Sequence, residues 1–142
     1  MPVKIMQVEK DIKVNCYDID AMGIVSNIVY IRWFEDLRFT FLDKYYPYTV
    51  MMRQQVSPIL MKTEAQYKAP LTIYDKAVGR CWVVNMTKNR WELELEIISN
   101  GKVYCTGRQT GCFYDMGRKR PTLNPQVLYD QYNKEISEKQ LI

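Results

Sequence analysis

From Trp91 to Ile98 apolar and acidic residues alternate, with Trp91, Leu93, Leu95 and Ile97 on one side and Glu92, Glu94 and Glu96 on the other. A period of two belongs to a strand with one buried and one solvated face. Asn100-Gly101 follows, a pair suited to a type I′ turn because both central residues of that turn need positive φ. The pattern predicts a hairpin to a further strand over Lys102–Tyr114. Upstream, Ile59–Lys68 and Lys76–Thr87 read as strands, with Lys88-Asn89-Arg90 as the tight turn before Trp91 and Pro70–Asp75 as a connection. Ile12–Tyr17 alternates as a short first strand.

One segment has a different period. Tyr30, Trp33, Phe34, Leu37 and Phe41 fall at i, i+3, i+4, i+7 and i+11, which is one face of a helix spanning about Ile28 to Lys44. Asn27 is placed to cap it and Pro47 to end it. Ile28, Val29 and Ile31 are mediocre helix formers, so packing of the aromatic face must hold the first turn. The order is strand, long helix, then four successive strands, an α+β arrangement whose simplest form is an antiparallel sheet wrapped around one central helix. Beyond Pro121, Asn124-Pro125 reads as a cap and first helical position, leading into a weakly amphipathic tail to Glu138.

Length and balance suit one domain over residues 1–142: 47% of residues are hydrophobic and 25% are charged. No apolar run reaches the ~20 residues of a membrane helix, and Met1-Pro2-Val3-Lys4-Ile5 does not open a long apolar leader. The expectation is a cytoplasmic protein without a membrane partner. The net charge of +4 is dispersed, which gives no basic stripe for nucleic acid. Cys16, Cys81, Cys105 and Cys112 lack metal-site spacing, so no metal is expected, and all four read as buried thiols.

The histidine count is zero. That excludes Ser-His-Asp and Cys-His chemistry and any His-ligated metal, leaving carboxylates, Lys, Tyr, Cys or oriented backbone and water for acid-base work. The segment Asp18 to Arg38, D-I-D-A-M-G-I-V-S-N-I-V-Y-I-R-W-F-E-D-L-R, is a polar turn feeding a helix N-terminus. Free N–H groups there can polarise a carbonyl and hold the oxyanion formed when it is attacked. Gly23 would permit close backbone approach, and Asp20 could attack the carbonyl or activate water. Spacing alone leaves the other reading open, in which Asp18 and Asp20 are turn formers.

Asp20, Gly23, Val25, Asn27, Tyr30, Trp33, Phe34, Glu35 and Arg38, as D-x-x-G-x-V-x-N-x-x-Y-x-x-W-F-E-x-x-R, resemble the signature of hotdog-fold acyl-CoA thioesterases of the 4-hydroxybenzoyl-CoA thioesterase type. Tyr67-Lys68-Ala69-Pro70 with Tyr74-Asp75, and Thr106-Gly107 with Phe113-Tyr114-Asp115 and Arg120-Pro121, continue the resemblance from about Ile12 to Pro125. The resemblance implies a hotdog fold and a catalytic carboxylate at Asp20. It implies that the Asn27 backbone amide polarises the thioester, and that Gly23, Val25, Tyr30, Trp33 and Phe34 shape the substrate site. It also implies an acyl-CoA substrate, no separate cofactor, and a homodimer or homotetramer with sites at the interface.

Many relatives carry His where this chain has Ile24 or Asn27, so Asp20 and backbone dipoles must suffice here. Lys88 and Arg90 read either as a solvated turn or, through the resemblance, as contacts to coenzyme A phosphates; Arg118-Lys119-Arg120 has the same two readings. Two alternatives remain at this level: hydrolysis of an acyl group from a carrier protein, and a non-catalytic acyl-binding hotdog protein. The glutamates of the Trp91 strand and Glu64 read as a solvated, ion-paired face. Gly107 and Gly111 mark either close approach of the helix or bulges.

Overall fold

The computed structural model describes residues 4–140. Strand β1 (Ile5–Lys13) leads through a 3-10 turn (Cys16–Asp18) to the long helix α1 (Asn27–Tyr45) and a short helix α2 (Tyr48–Gln54). Then come β2 (Val56–Tyr67), β3 (Lys76–Met86), β4 (Trp91–Ser99), β5 (Lys102–Asp115), β6 (Arg120–Thr122) and helix α3 (Gln126–Gln140). The strands pair antiparallel in the order β1-β3-β4-β5-β2. Beyond the start of β4, where Trp91 lies opposite Gly111, β6 pairs with Phe113–Asp115. The sheet curls around α1, which is the α+β hotdog arrangement.

Packing follows the two periodicities. Helix α1 buries Tyr30, Trp33, Phe34, Leu37 and Phe41, joined by Val29 and Leu42. Beneath it, Trp91, Leu93, Leu95 and Ile97 of β4 are buried with Cys81 and Cys105. The glutamates of β4 turn outward, where Arg108 pairs with Glu92 and Glu94, and Arg80 with Glu96 and Glu9. Asn100 and Gly101 both have positive φ, as the type I′ turn requires. Gly107 lies directly under the Phe34 ring, so close approach of the helix is its role.

Several sequence expectations need correction. The first strand is Ile5–Lys13, not Ile12–Tyr17, because the Asp18 carboxylate accepts the Asn15 backbone N–H at 2.8 Å and turns the chain. Helix α1 starts at Asn27 with Ser26 as its N-cap residue, so Asn27 is the first helical residue and not the cap. Asn124 is no cap either: its amide nitrogen donates to the carbonyls of Thr87 and Arg90, fastening the entry to α3 onto the β3–β4 turn. Cys16 is exposed, whereas the other three thiols are buried. Among the described residues, no helix is long and apolar enough to cross a membrane.

Candidate active site

The segment before α1 folds back on itself as a tight hairpin. Ser26 N–H donates to the Asp18 carbonyl (3.0 Å), Ile19 bridges Val25, and Asp20 N–H donates to the Ile24 carbonyl (2.8 Å). At the tip, Gly23 N–H donates to the Asp20 carbonyl (3.0 Å), and Gly23 has φ +78°. Nothing among the described residues of the chain lies within 4 Å of a Cβ built there, and the left-handed backbone is what calls for glycine. Asp20 holds the turn with its side chain as well: Oδ1 accepts N–H groups from Met22 (2.8 Å) and Ile24 (3.4 Å). Its second oxygen makes no hydrogen bond to any described residue, and the residue is exposed.

A second turn braces this hairpin. Val25 N–H donates to the Leu71 carbonyl (2.9 Å) and Ile24 bridges Thr72. The Asp75 carboxylate accepts both Thr72 N–H (2.7 Å) and the Thr72 hydroxyl (3.1 Å). Asp75 is therefore a turn former that fixes the wall against which the hairpin rests.

Helix α1 then begins without a side-chain cap, since the Ser26 hydroxyl makes no capping bond. Asn27 and Ile28 N–H find no acceptor among the described residues, and both residues are exposed. These are the orphan donors of a helix start, at the positive end of a 19-residue dipole. Asn27 borders an open cavity of about 290 Å³ with Ile24, Val25, Tyr30, Tyr67, Lys68, Ala69 and Pro70. Tyr30 stands edge-on to Tyr67 (5.5 Å) and to Trp33 (5.3 Å). Burial pushes the Tyr30 phenol above its ordinary value, as it does that of Tyr67, so both stay protonated near neutrality.

Of the residues singled out in the sequence, the fold gathers Val25, Asn27 and Tyr30 in this cavity, with Asp20 and Gly23 on the hairpin that opens it. Trp33 and Phe34 do not line it; they are buried beneath, Phe34 over Gly107. Tyr67, Lys68 and Pro70 were missed as site residues. Their Y-x-x-P resemblance was the available signal, but their meeting with Asn27 depends on a contact 40 positions away in the chain.

Comparisons with known proteins give the family and the fold. The profile of the Thioesterase-like superfamily matches residues 14–132. The chain belongs to the thioesterase-like superfamily. In sequence, this thioesterase-like chain is 39% identical over 64 residues to an Aquifex aeolicus (strain VF5) protein named "Putative esterase". The match covers 44% of the chain and 49% of that relative, so it spans about half of the relative's length. In fold it is similar to a gentisyl-coenzyme A thioesterase (TM-score 0.78, 21% identity, covering 86% of this chain and 99% of the other). It is also similar to a DHNA-CoA thioesterase from Staphylococcus aureus (0.83, 20%, 92% and 91%). A hypothetical protein of Staphylococcus aureus in complex with CoA gives 0.85 at 14% identity, over 92% and 84% of the two chains.

Lys88 and Arg90 of this thioesterase-like domain lie at the other end of the sheet. Tyr67 is opposite Cys105 and Val56 opposite Asp115, ten positions apart on β5, or ~33 Å at the usual strand rise. At that far end Asn89, Arg90, Asp115, Arg118 and Arg120 surround a cleft of about 480 Å³. Asp115 accepts Gly117 and Arg118 N–H (both 3.0 Å), which fixes the turn between β5 and β6 at the rim of this cleft.

Proposed function

We propose that this protein hydrolyses acyl-CoA thioesters. What supports the reading is that the hairpin carrying Asp20, whose second oxygen is unbonded among the described residues, runs directly into the start of α1, where the Asn27 and Ile28 N–H groups have no acceptor among them. The thioester oxygen would take the Asn27 N–H, with the α1 dipole stabilising the charge that develops on it. The free Asp20 oxygen would attack the thioester carbon, or take a proton from a water that does. The carbon–sulfur bond then breaks and coenzyme A leaves as thiolate. Attack by Asp20 gives an anhydride, which water cleaves to the free acid; attack by water gives the acid directly. With no histidine in the chain, the role falls to a carboxylate, and this reading assigns it to Asp20.

We further propose that the working unit is a homodimer or homotetramer joined through β2. This strand is an edge of the sheet and carries exposed Ile59, Met61 and Tyr67. Two β2 strands paired antiparallel across a two-fold axis set the Val56 end of one beside the Tyr67 end of the other. Such pairing would bring Lys88, Arg90, Arg118 and Arg120 of one subunit within reach of the cavity of its partner. The phosphates of coenzyme A would meet guanidinium groups there, which reconciles the two distant parts of the site. Similarity to thioesterases of gentisyl-CoA and DHNA-CoA, and to a protein in complex with CoA, supports a CoA ester.

The test is thiol release from a panel of short, medium, long and aromatic acyl-CoA esters, with equilibrium sedimentation of the same sample. Turnover on part of the panel by an even-numbered assembly is expected. A folded protein that releases no thiol from any member would overturn the reading.

A further inference from the structure

We infer that Tyr67 is a positioning residue of the oxyanion site, acting through the first peptide of α1. This rests on the proposed reading that the α1 N-terminus receives the thioester oxygen. The Tyr67 hydroxyl donates to the Asn27 carbonyl at 3.2 Å. That carbonyl belongs to the same peptide unit as the Ile28 N–H, one of the two helix-start amides left without an acceptor among the described residues. As the first residue of a regular helix, Asn27 already offers its carbonyl to the amide four positions on. A second donor adds little to helix formation, but it polarises the peptide and makes the Ile28 N–H a stronger donor.

The phenol is held in place from two sides. Lys68 and Ala69 N–H both donate to the Tyr104 carbonyl, at 2.8 and 3.2 Å, and so fix the chain where it leaves β2. The Tyr30 ring packs edge-on against Tyr67. Tyr67 lines the same cavity as Asn27. A tyrosine needed only for surface packing would have no reason to reach a carbonyl joined to an open helix-start donor. In this arrangement Ile28 N–H joins Asn27 N–H as a second donor to the developing charge, and Tyr67 tunes it without touching substrate oxygen.

Removing a direct oxyanion donor costs about 10²–10³ in kcat; weakening one should cost about tenfold. In Tyr67→Phe, which keeps the ring and its contact with Tyr30, kcat should fall about tenfold on that scale, with KM unchanged. Independently of turnover, the Ile28 amide proton should move upfield in the 15N-resolved NMR spectrum. A second form carries 3,5-difluorotyrosine at position 67, whose more acidic phenol stops donating at lower pH. Its kcat should decline toward alkaline pH earlier than that of the wild type. An unchanged kcat, or an Ile28 amide that does not move, would overturn the inference. If the wild-type protein releases no thiol, the hydrolase reading fails, and the Ile28 shift alone then decides whether Tyr67 polarises this peptide.

Discussion

The contact between α1 and the sheet sets where the N-terminal end of the helix lies, and Gly107 is a very tight point of it. A Cβ built on Gly107 would sit 2.5 Å from Cε2 and 2.6 Å from Cζ of Phe34. Carbon atoms pack at about 3.5–4.0 Å, so in Gly107→Ala the ring or the helix must retreat by about 1 Å. Phe34 is fully buried and α1 is locked by Leu37 and Phe41 on the same face, so relief is expensive. Overpacking of this kind costs about 1–3 kcal/mol, offset by about 0.4–1 kcal/mol because alanine restricts the unfolded chain. The net expectation is a loss of about 1–2 kcal/mol, or a fall in Tm of roughly 3–7 °C for a chain of this size. Urea unfolding should show a lower midpoint at unchanged slope. Phe34→Leu should then cost less in the Gly107→Ala background than in the wild type, with a coupling of at least about 0.5 kcal/mol. A Gly107→Ala protein as stable as the wild type would refute the reasoning.

Three further outcomes follow from single contacts. Glu135 on α3 is opposed by burial, yet hydrogen bonds from Gln131, the Met6 N–H (2.9 Å) and Lys139 together hold its carboxyl below the ordinary value. A depressed folded value means stability present above the unfolded pKa and lost as pH falls through the folded one. Glu135→Gln should therefore cost about 1 kcal/mol at neutral pH, and the difference from wild type should vanish in acid below the usual glutamate range, as read by unfolding at several pH values. Gly23→Ala meets no atom but keeps φ +78°, so it should lose about 1 kcal/mol. Gly23→Asn should lose less, since asparagine tolerates that backbone, and chemical denaturation of the pair checks the order. Arg38 forms a two-pronged pair with Glu35 (2.8 and 2.6 Å) and donates to buried Gln109 (2.8 Å). Lysine cannot reproduce that fork, so Arg38→Lys should lose about 1–2 kcal/mol in the same assay.

What could be read in the sequence was what has a period. The β4 alternation, the Asn100-Gly101 turn and the aromatic face of α1 are local patterns with one physical solution each. Strand β1 escaped because Glu9-Lys10-Asp11 interrupts its apolar positions and a bulge with Met6 at φ 53° shifts its register. Helix α2 and strand β6, of seven and three residues, are too short to establish a period. Asp20 and the α1 start were legible through a resemblance in residue types, and the hairpin explains the spacing: Gly23 turns the chain so that Asp20 and Ile24 face one another. Tyr67 was not legible as a site residue, because its partner is set by the path of β2 around the sheet. The separation of Arg90 from Asn27 likewise emerges only once the strand registers are known.

The role proposed for the Asp20 carboxylate goes beyond closing the hairpin turn with the Met22 and Ile24 N–H groups. Asp20→Asn retains an oxygen able to accept the Met22 and Ile24 N–H groups, so the hairpin should survive and the circular dichroism and melting curve should match the wild type. Thiol release from the best acyl-CoA substrate should then fall by at least about 100-fold. Wild-type turnover in an equally folded Asp20→Asn protein would contradict the account.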